Sequence, residues 1–355
     1  MKTTLPTTCV SHSQLQCWKS CRWQHALRYM IGIERGDTGK ALRVGNAFHK
    51  SLDLLANGMS REDAIAAIVR IYDEHGASED QFGWAAYECA ETTAMVAVYN
   101  WRYANSGLTV IASEINFEVP VARTGFTRRG FIDKIVRVED PRPRLLIMEH
   151  KTSGSDIDPT GDYWRRLTID HQLTGYISAA RHMGWDVEGV LYDVIRKPGL
   201  SPRAIPALDA EGLKIVLEAD GTRSTNKNGT WRQAASTWQT LQTTPETPAD
   251  YADRIMAAMA EDPDRHFQRH EVARLDDEVA RYEAETAAAC IDMRHAYSMG
   301  TQFLYRNTGS CRAFNRACDY LPLCASHTTP PPASEGIAPP DGYSYRTATE
   351  ESETP

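Results

Sequence analysis

The 355-residue chain lacks any uninterrupted apolar run approaching the roughly 18 residues of a membrane helix. Its opening residues, Met1 to Cys9, lack the apolar core of a secretory signal. Membrane and secreted classes are therefore set aside, and a cytoplasmic setting, bacterial or in a phage-infected host, is expected. No G-x-x-x-x-G-K-[ST] loop is present, so no ATP-driven motor is encoded. No internal repeat is evident. The C-x-x-C pairs favoured by zinc ribbons are also missing. Yet there are eight cysteines: Cys9, Cys17, Cys21, Cys89, Cys290, Cys311, Cys318 and Cys324. In a reducing cytosol, clustered cysteines are more often metal or cluster ligands than disulfides.

What is present is the composition of a soluble globular protein, 42% hydrophobic and 24% charged, with mean hydropathy −0.46. The length suits one large domain or two ordinary ones, with ample chain to bury a core. The net charge of −8 argues against a chain-wide nucleic-acid surface. That charge is uneven, however. Glu246–Asp292 carries a net −8, the tail from Ala325 to Pro355 a net −4, and the remainder +4. The remainder can still attract a polyanion. The tail, residues 326–355, is acidic and rich in proline, and its composition predicts disorder.

Periodicity predicts a helical first hundred residues, with helices over 13–30, 39–57, 60–74 and 81–104. β-branched and alternating stretches predict strands at 109–121, 129–138 and 145–151. A helix over 164–183, a strand over 187–195 and a turn at Lys197-Pro198-Gly199 follow. Residues 201–247 give a mixed signal, including a basic, turn-rich loop at 221–229. Helices at 248–260 and 276–299 flank a strand at 267–274. Strands between helices imply an α/β fold: a mixed central sheet with a helical N-terminal cap.

The most informative stretch is Gly130-Phe-Ile-Asp133, then Leu145-Leu-Ile-Met-Glu149-His150-Lys151. Glu149 and Lys151 stand at i and i+2 on a strand and share one face. A hairpin pairing would let Asp133 converge on Glu149. Two carboxylates beside a lysine suit a hard divalent cation, and the His150 backbone carbonyl is a further oxygen donor. An E-x-K on a strand is commonly a solvated ion pair, but here both acids emerge from apolar runs, where unpaired charge is costly.

In these residues the chain resembles the PD-(D/E)XK nuclease superfamily, specifically its RecB-type, AddB-like exonuclease branch with an iron–sulfur cluster. The resemblance runs from about Ser11 to Cys324. It implies a restriction-endonuclease-like core in which Asp133, Glu149 and Lys151 are catalytic and His49, Asp133, Glu149 and the His150 carbonyl hold Mg2+ or Mn2+. His49 falls in Gly45-Asn-Ala-Phe-His49, which matches the family's helical G-x-x-x-H. Gln172 and Tyr176 match its Q-x-x-x-Y, and share a helix face at i, i+4. Glu114 matches a glutamate preceding the catalytic strands, with Glu118 as a competitor.

Cys311-x6-Cys318-x5-Cys324 forms a loop able to wrap a metal centre, and a fourth ligand must come from elsewhere. The resemblance points to Cys21, while Cys17, one turn earlier on the same helix face, competes. Four thiolates suit a [4Fe–4S] cluster, with Zn2+ as the alternative. Such a centre would close a loop of about 290 residues and clip the chain ends together. The resemblance thus implies one domain over 1–325, comprising a helical part (1–107), a catalytic core (108–200), a mixed part (201–300) and a cluster loop (301–325). It implies a metal-dependent DNA exonuclease acting on ends or single strands in recombination, repair or phage DNA processing, with a helicase or recombination partner possible. A non-catalytic DNA-end-binding protein of the same fold is the alternative. Lys19, Arg22, Arg28, Arg128, Arg129, Arg165, Arg166 and Arg196 are the expected basic patches.

Overall fold

The computed structural model describes residues 8–36, 39–313 and 316–346. Strand β1 (Cys9–Ser11) leads into α1 (His12–Ser20), α2 (Arg22–His25), a π-wound turn over Ala26–Ile31 and β2 (Ile33–Arg35). Helices α3 (Lys40–Ala56), α4 (Arg61–Asp73) and α5 (Trp84–Arg102) follow. Then come β3 (Leu108–Val121), β4 (Phe126–Val138), β5 (Arg144–Ser153), α6 (Asp162–Arg165), α7 (His171–His182) and β6 (Val187–Arg196). Four short strands, β7 (Ala204–Pro206), β8 (Val216–Leu217), β9 (Thr240–Leu241) and β10 (Thr243–Pro245), make a projecting arm. The chain continues through α8 (Pro248–Glu261), α9 (Pro263–His266), β11 (Phe267–Ala273) and α10 (Asp276–Met299). It finishes with β12 (Arg312–Ala313), β13 (Arg316–Ala317), α11 (Leu321–Ala325) and β14 (Tyr343–Tyr345).

The expected α/β architecture is present, a six-stranded mixed sheet flanked by helices. Along it run β1, β4, β5, β6 and β11, with β3 pairing the other edge of β4. The β3–β4, β4–β5 and β6–β11 pairs are antiparallel, whereas β1–β4 and β5–β6 are parallel. One face packs Ile135, Ile147, Val190 and Val194 against Leu173, Tyr176 and Ile177 of α7. On the other face, Ile195 and Phe267 join the apolar sides of α3, α4, α5 and α8. No helix among the described residues is long and apolar enough to cross a membrane.

Helices α3 and α4 begin and end within a residue of the predicted positions because their caps are local: Gly39 and Asn57, Ser60 and Glu74. Two predicted helices are instead broken. The 13–30 segment stops at Cys21, whose backbone is extended, and resumes as α2. The 164–183 segment stops at Asp170, whose carboxylate accepts from the backbone N–H groups of Gln172 and Leu173 at 2.8 and 3.1 Å. That side chain caps α7 and competes with continuation of the preceding helix.

The tail also departs from expectation over residues 326–346. Strand β14 pairs antiparallel with β2, and the Arg346 N–H donates to Gly32 O at 2.7 Å. The Tyr343 and Tyr345 hydroxyls donate to the backbone carbonyls of Asp319 and Pro331. Average composition predicts disorder here, but these tyrosines and Arg346 supply the burial and hydrogen bonds that order a segment. The rest of the predicted tail, residues 347–355, lies outside the described residues.

Candidate active site

One edge of β4 has two neighbours in succession. β1 pairs with it as far as Arg129, and β5 takes over from Lys134. Gly130–Asp133 lies between, where neither ladder holds the edge. Asp133 is thus placed at the fork, and its Oδ2 accepts from the His150 N–H of β5 at 2.9 Å. Alternation along β5 puts Glu149 and Lys151 on the α7 face with Ile147, and His150 on the opposite face.

Helix α3 rides close over the end of β5. A Cβ at Gly45, one turn before His49, would sit in van der Waals contact with the Thr152 hydroxyl, 3.4 Å away. His49 Nδ1 then lies 3.6 Å from Asp133 Oδ2. Lys151 Nζ sits 2.6 Å from Glu149 Oε1, while Glu149 Oε2 is buried with no hydrogen-bond partner. The structure therefore brings His49, Asp133, Glu149 and Lys151 together. Glu114 does not join them directly: its carboxylate lies 3.5 Å from Lys50, at a non-glycine position with φ of 45° on β3.

Burial dominates the electrostatics. It pushes the Glu149 carboxyl up to about 8, with the Asp133 charge adding to the rise and Lys151 opposing it. Burial also raises Asp133, but His49, His150 and Lys151 outweigh it and leave that carboxyl below its ordinary value. Burial lowers His49 to about 4, so its imidazole is neutral at pH 7 with a lone pair available. A buried carboxylate oxygen without a donor, a second carboxylate and a neutral imidazole form a donor set that fits a hard divalent cation. Three such side chains do not yet converge on one point at metal-binding distance anywhere among the described residues.

Gln172 Nε2 donates to the Tyr176 hydroxyl at 2.9 Å. Burial first, then the Glu149 and Asp133 charges, hold that phenol well above its ordinary pKa, which places it against the two carboxylates. Sequence reasoning missed two neighbours. Burial lowers the Lys151 ammonium, but Glu149, Asp133 and, behind them, Asp170, the α7 cap, raise it above its ordinary value. His12, lowered to about 4 mainly by burial, lies close enough to feel Asp170 and Lys151. Only a helix-capping signal at Asp170 was available in the sequence.

The other face of β5 carries a buried polar network that no motif announced. The Lys134 ammonium, which can only donate, lies 2.9 Å from His150 Nε2 and donates to Leu52 O of α3 at 3.1 Å. His150 Nδ1–H therefore points at Asp193 Oδ2, 3.0 Å away. Asp193 is wholly buried, accepts from the Tyr99 hydroxyl at 2.5 Å and faces Arg269 at 3.4 Å. Its carboxyl lies below the ordinary value: burial raises it, and His150, Arg269 and Tyr99 more than reverse that. His150 is thus fixed from below by α3, α5, β6 and β11.

The cysteines occupy the far end of the chain path. Cys21, Cys311, Cys318 and Cys324 line one cavity of about 220 Å³. The break at Cys21 matters here: its Sγ accepts from the Asn307 N–H at 3.4 Å, and Asn307 also donates to Ser20 O. Cys17 does not line the cavity; burial pushes its thiol up to about 12, and it lies near Cys21 and Cys318. Four thiols share this one cavity, but no three of them are gathered as a metal-holding group among the described residues. Of the remaining thiols, Cys290 is fully buried and Cys89 packs against the α3–α5 cluster.

The expected basic patches are only partly available. Arg128 is buried between Phe117 and Tyr282, Arg22 is bound to Asp292 at 2.7 Å, and Arg196 to Asp156 at 2.7 Å. Burying an arginine between two rings removes it from any ligand surface.

The profile of the PD-(D/E)XK nuclease superfamily matches residues 9–325. The chain belongs to that superfamily, whose members are generally metal-dependent nucleases acting on nucleic acids. No curated protein shows significant similarity to it.

Asp193→Asn should destabilise the fold by about 3 kcal/mol, because it strips the charge holding His150 and Arg269 in a dry site. Urea unfolding at pH 7 measures this. The Asp193 pKa is depressed on folding, so its contribution is present above the ordinary carboxylate range and fades as pH falls through the folded value. The gap between wild type and variant should therefore close in acid. A shift within about 0.5 kcal/mol at pH 7 would be the size of an ordinary surface change and would deny the network its role.

Proposed function

We propose that the protein is a DNA exonuclease that hydrolyses phosphodiester bonds at DNA ends or in single strands, in recombination, repair or phage DNA processing. The observation that carries this is the buried Glu149 with the half-buried Asp133, Glu149 Oε2 being unpartnered beside Lys151 at the open fork of β4. Mg2+ or Mn2+, when bound, lowers the pKa of water and withdraws charge from the phosphate. His49, Asp133, Glu149 and the His150 carbonyl would hold it. The Lys151 ammonium stabilises charge developing on the phosphate oxygens, and its contact with Glu149 aims it there. Tyr176 and Gln172 fix the position of the phosphate from the α7 side. A helicase partner would supply separated strands, since no motor motif lies in this chain.

Glu149→Ala and Lys151→Ala should each lower cleavage of linear DNA by at least about a hundredfold in Mg2+ or Mn2+, with the fold intact. Unchanged cleavage in Glu149→Ala would sink the site. Tight end binding by an inert wild type would point to a non-catalytic end-binding protein.

Cation binding must also displace the proton from Glu149. A carboxyl raised on folding lends stability below its ordinary value of 4.5 and loses it as pH rises to about 8. Mn2+ affinity should therefore increase by up to about tenfold per pH unit towards pH 8, with a proton released at pH 7. Calorimetry in buffers of different ionisation enthalpy reads this, and pH-independent binding would overturn it.

The four cavity cysteines, Cys21, Cys311, Cys318 and Cys324, are read as ligands of a [4Fe–4S] cluster, with Zn2+ as the alternative. Protein purified without oxygen should carry about four irons and four sulfides per chain. Cys21→Ser should lose them and Cys17→Ser retain them. Stoichiometric zinc without iron would exclude the cluster.

A further inference from the structure

The arm between β6 and α8 is absorbed by none of the chemistry above. It leaves the sheet at the same end as the site: Arg196, the last residue of β6, pairs with Ser153, two residues beyond Lys151. Its root is clamped. The Arg203 N–H donates to Glu246, which is bound by Arg254 at 2.6 Å, and the Tyr87 hydroxyl donates to Glu246 O. Beyond the root the chain makes successive tight turns, closed by Gly212, Gly221 and Gly229, each with φ near +80°.

This arm buries little of itself. Val216 and Ser224 are enclosed, but the Trp238 side chain is 83% exposed and Trp231 is 42% exposed. Arg223 lies over the Trp231 ring at 4.3 Å, whereas no ring or cation contact to Trp238 is found among the described residues. Residues 221–245 carry Arg223, Lys227 and Arg232 and no acid, and because Arg223 is paired with Asp209, Lys227 and Arg232 are the cations this stretch offers. The indole of Trp238 thus offers an uncovered flat face on a segment that also carries Lys227 and Arg232, and a stacking partner would cover it. Unpaired nucleobases supply a flat partner of any sequence, joined by a backbone that the basic side chains attract.

We infer that the arm, which leaves the sheet at its catalytic end, is a single-strand binding site with Trp238 a stacking platform for an unpaired base. Duplex DNA hides its base faces, so the arm selects separated strands. The inference rests on the nucleic-acid reading above and deepens it.

The test uses the full chain carrying Glu149→Gln, so that bound DNA stays intact. Its probes are a labelled oligothymidylate of about 20 nucleotides and a blunt duplex of equal length. Added Trp238→Ala should weaken oligothymidylate binding about tenfold, with Trp238→Phe recovering most of it and duplex binding unchanged. Lys227→Ala should reduce the salt dependence by about one unit of slope, whereas Trp238→Ala should leave it alone. Unchanged oligothymidylate binding in Trp238→Ala, or equal loss on both probes, overturns the stacking site; in the first case the indole belongs to a protein surface. Failure of the parent protein to bind either probe instead overturns the nucleic-acid reading itself.

Discussion

The edge of β4 is held by β1 up to Arg129 and by β5 from Lys134, and the unheld residues between them are where Asp133 stands. A strand edge normally satisfies its backbone along its whole length. Here the change of partner opens a fork, and the Asp133 carboxylate bridges it by accepting the His150 N–H. One hydrogen bond thus ties the lone aspartate to the strand that carries Glu149 and Lys151. Helix α3 packs by Gly45 against Thr152 at the end of β5, and His49 arrives beside Asp133.

The two faces of β5 divide the work. On the α7 face, Glu149 and Lys151 meet Gln172 and Tyr176 in a pocket where burial, more than any neighbour, sets the protonation of Glu149. On the other face, His150 is gripped by Lys134 and Asp193, with Tyr99 and Arg269 behind them. The second set has no access to substrate, yet it fixes the backbone that carries the first. Precise placement of charged groups demands that their strand not move, and a buried network of charges and hydrogen bonds provides that stiffness.

Charge is distributed to match. Several arginines that look available in the sequence are taken up, Arg22 and Arg196 in ion pairs with Asp292 and Asp156 and Arg128 buried between aromatic rings. In residues 221–245 Arg223 is likewise paired, with Asp209, which leaves Lys227 and Arg232 beside the exposed indole of Trp238. An acidic chain can still meet a polyanion when its positive groups are local and near the reacting end.

The sequence by itself determined the order and type of most of the long helices and of the main sheet strands, because helical and strand periods and their caps are local properties of consecutive residues. Asp276–Met299 and the strand pair bearing Asp133 and Glu149 were legible for that reason. The E-x-K face was likewise legible, since alternation alone sets it. Three features lay beyond reach. The break at Cys21, which puts that residue and not Cys17 on the cavity, depends on Asn307, 286 residues away. The ordering of residues 343–346 depends on β2 offering a free edge. The network around His150 joins residues from α3, α5, β4, β6 and β11 that share no spacing in the chain. Contacts between distant segments leave no periodic trace, so only the tertiary structure could decide them.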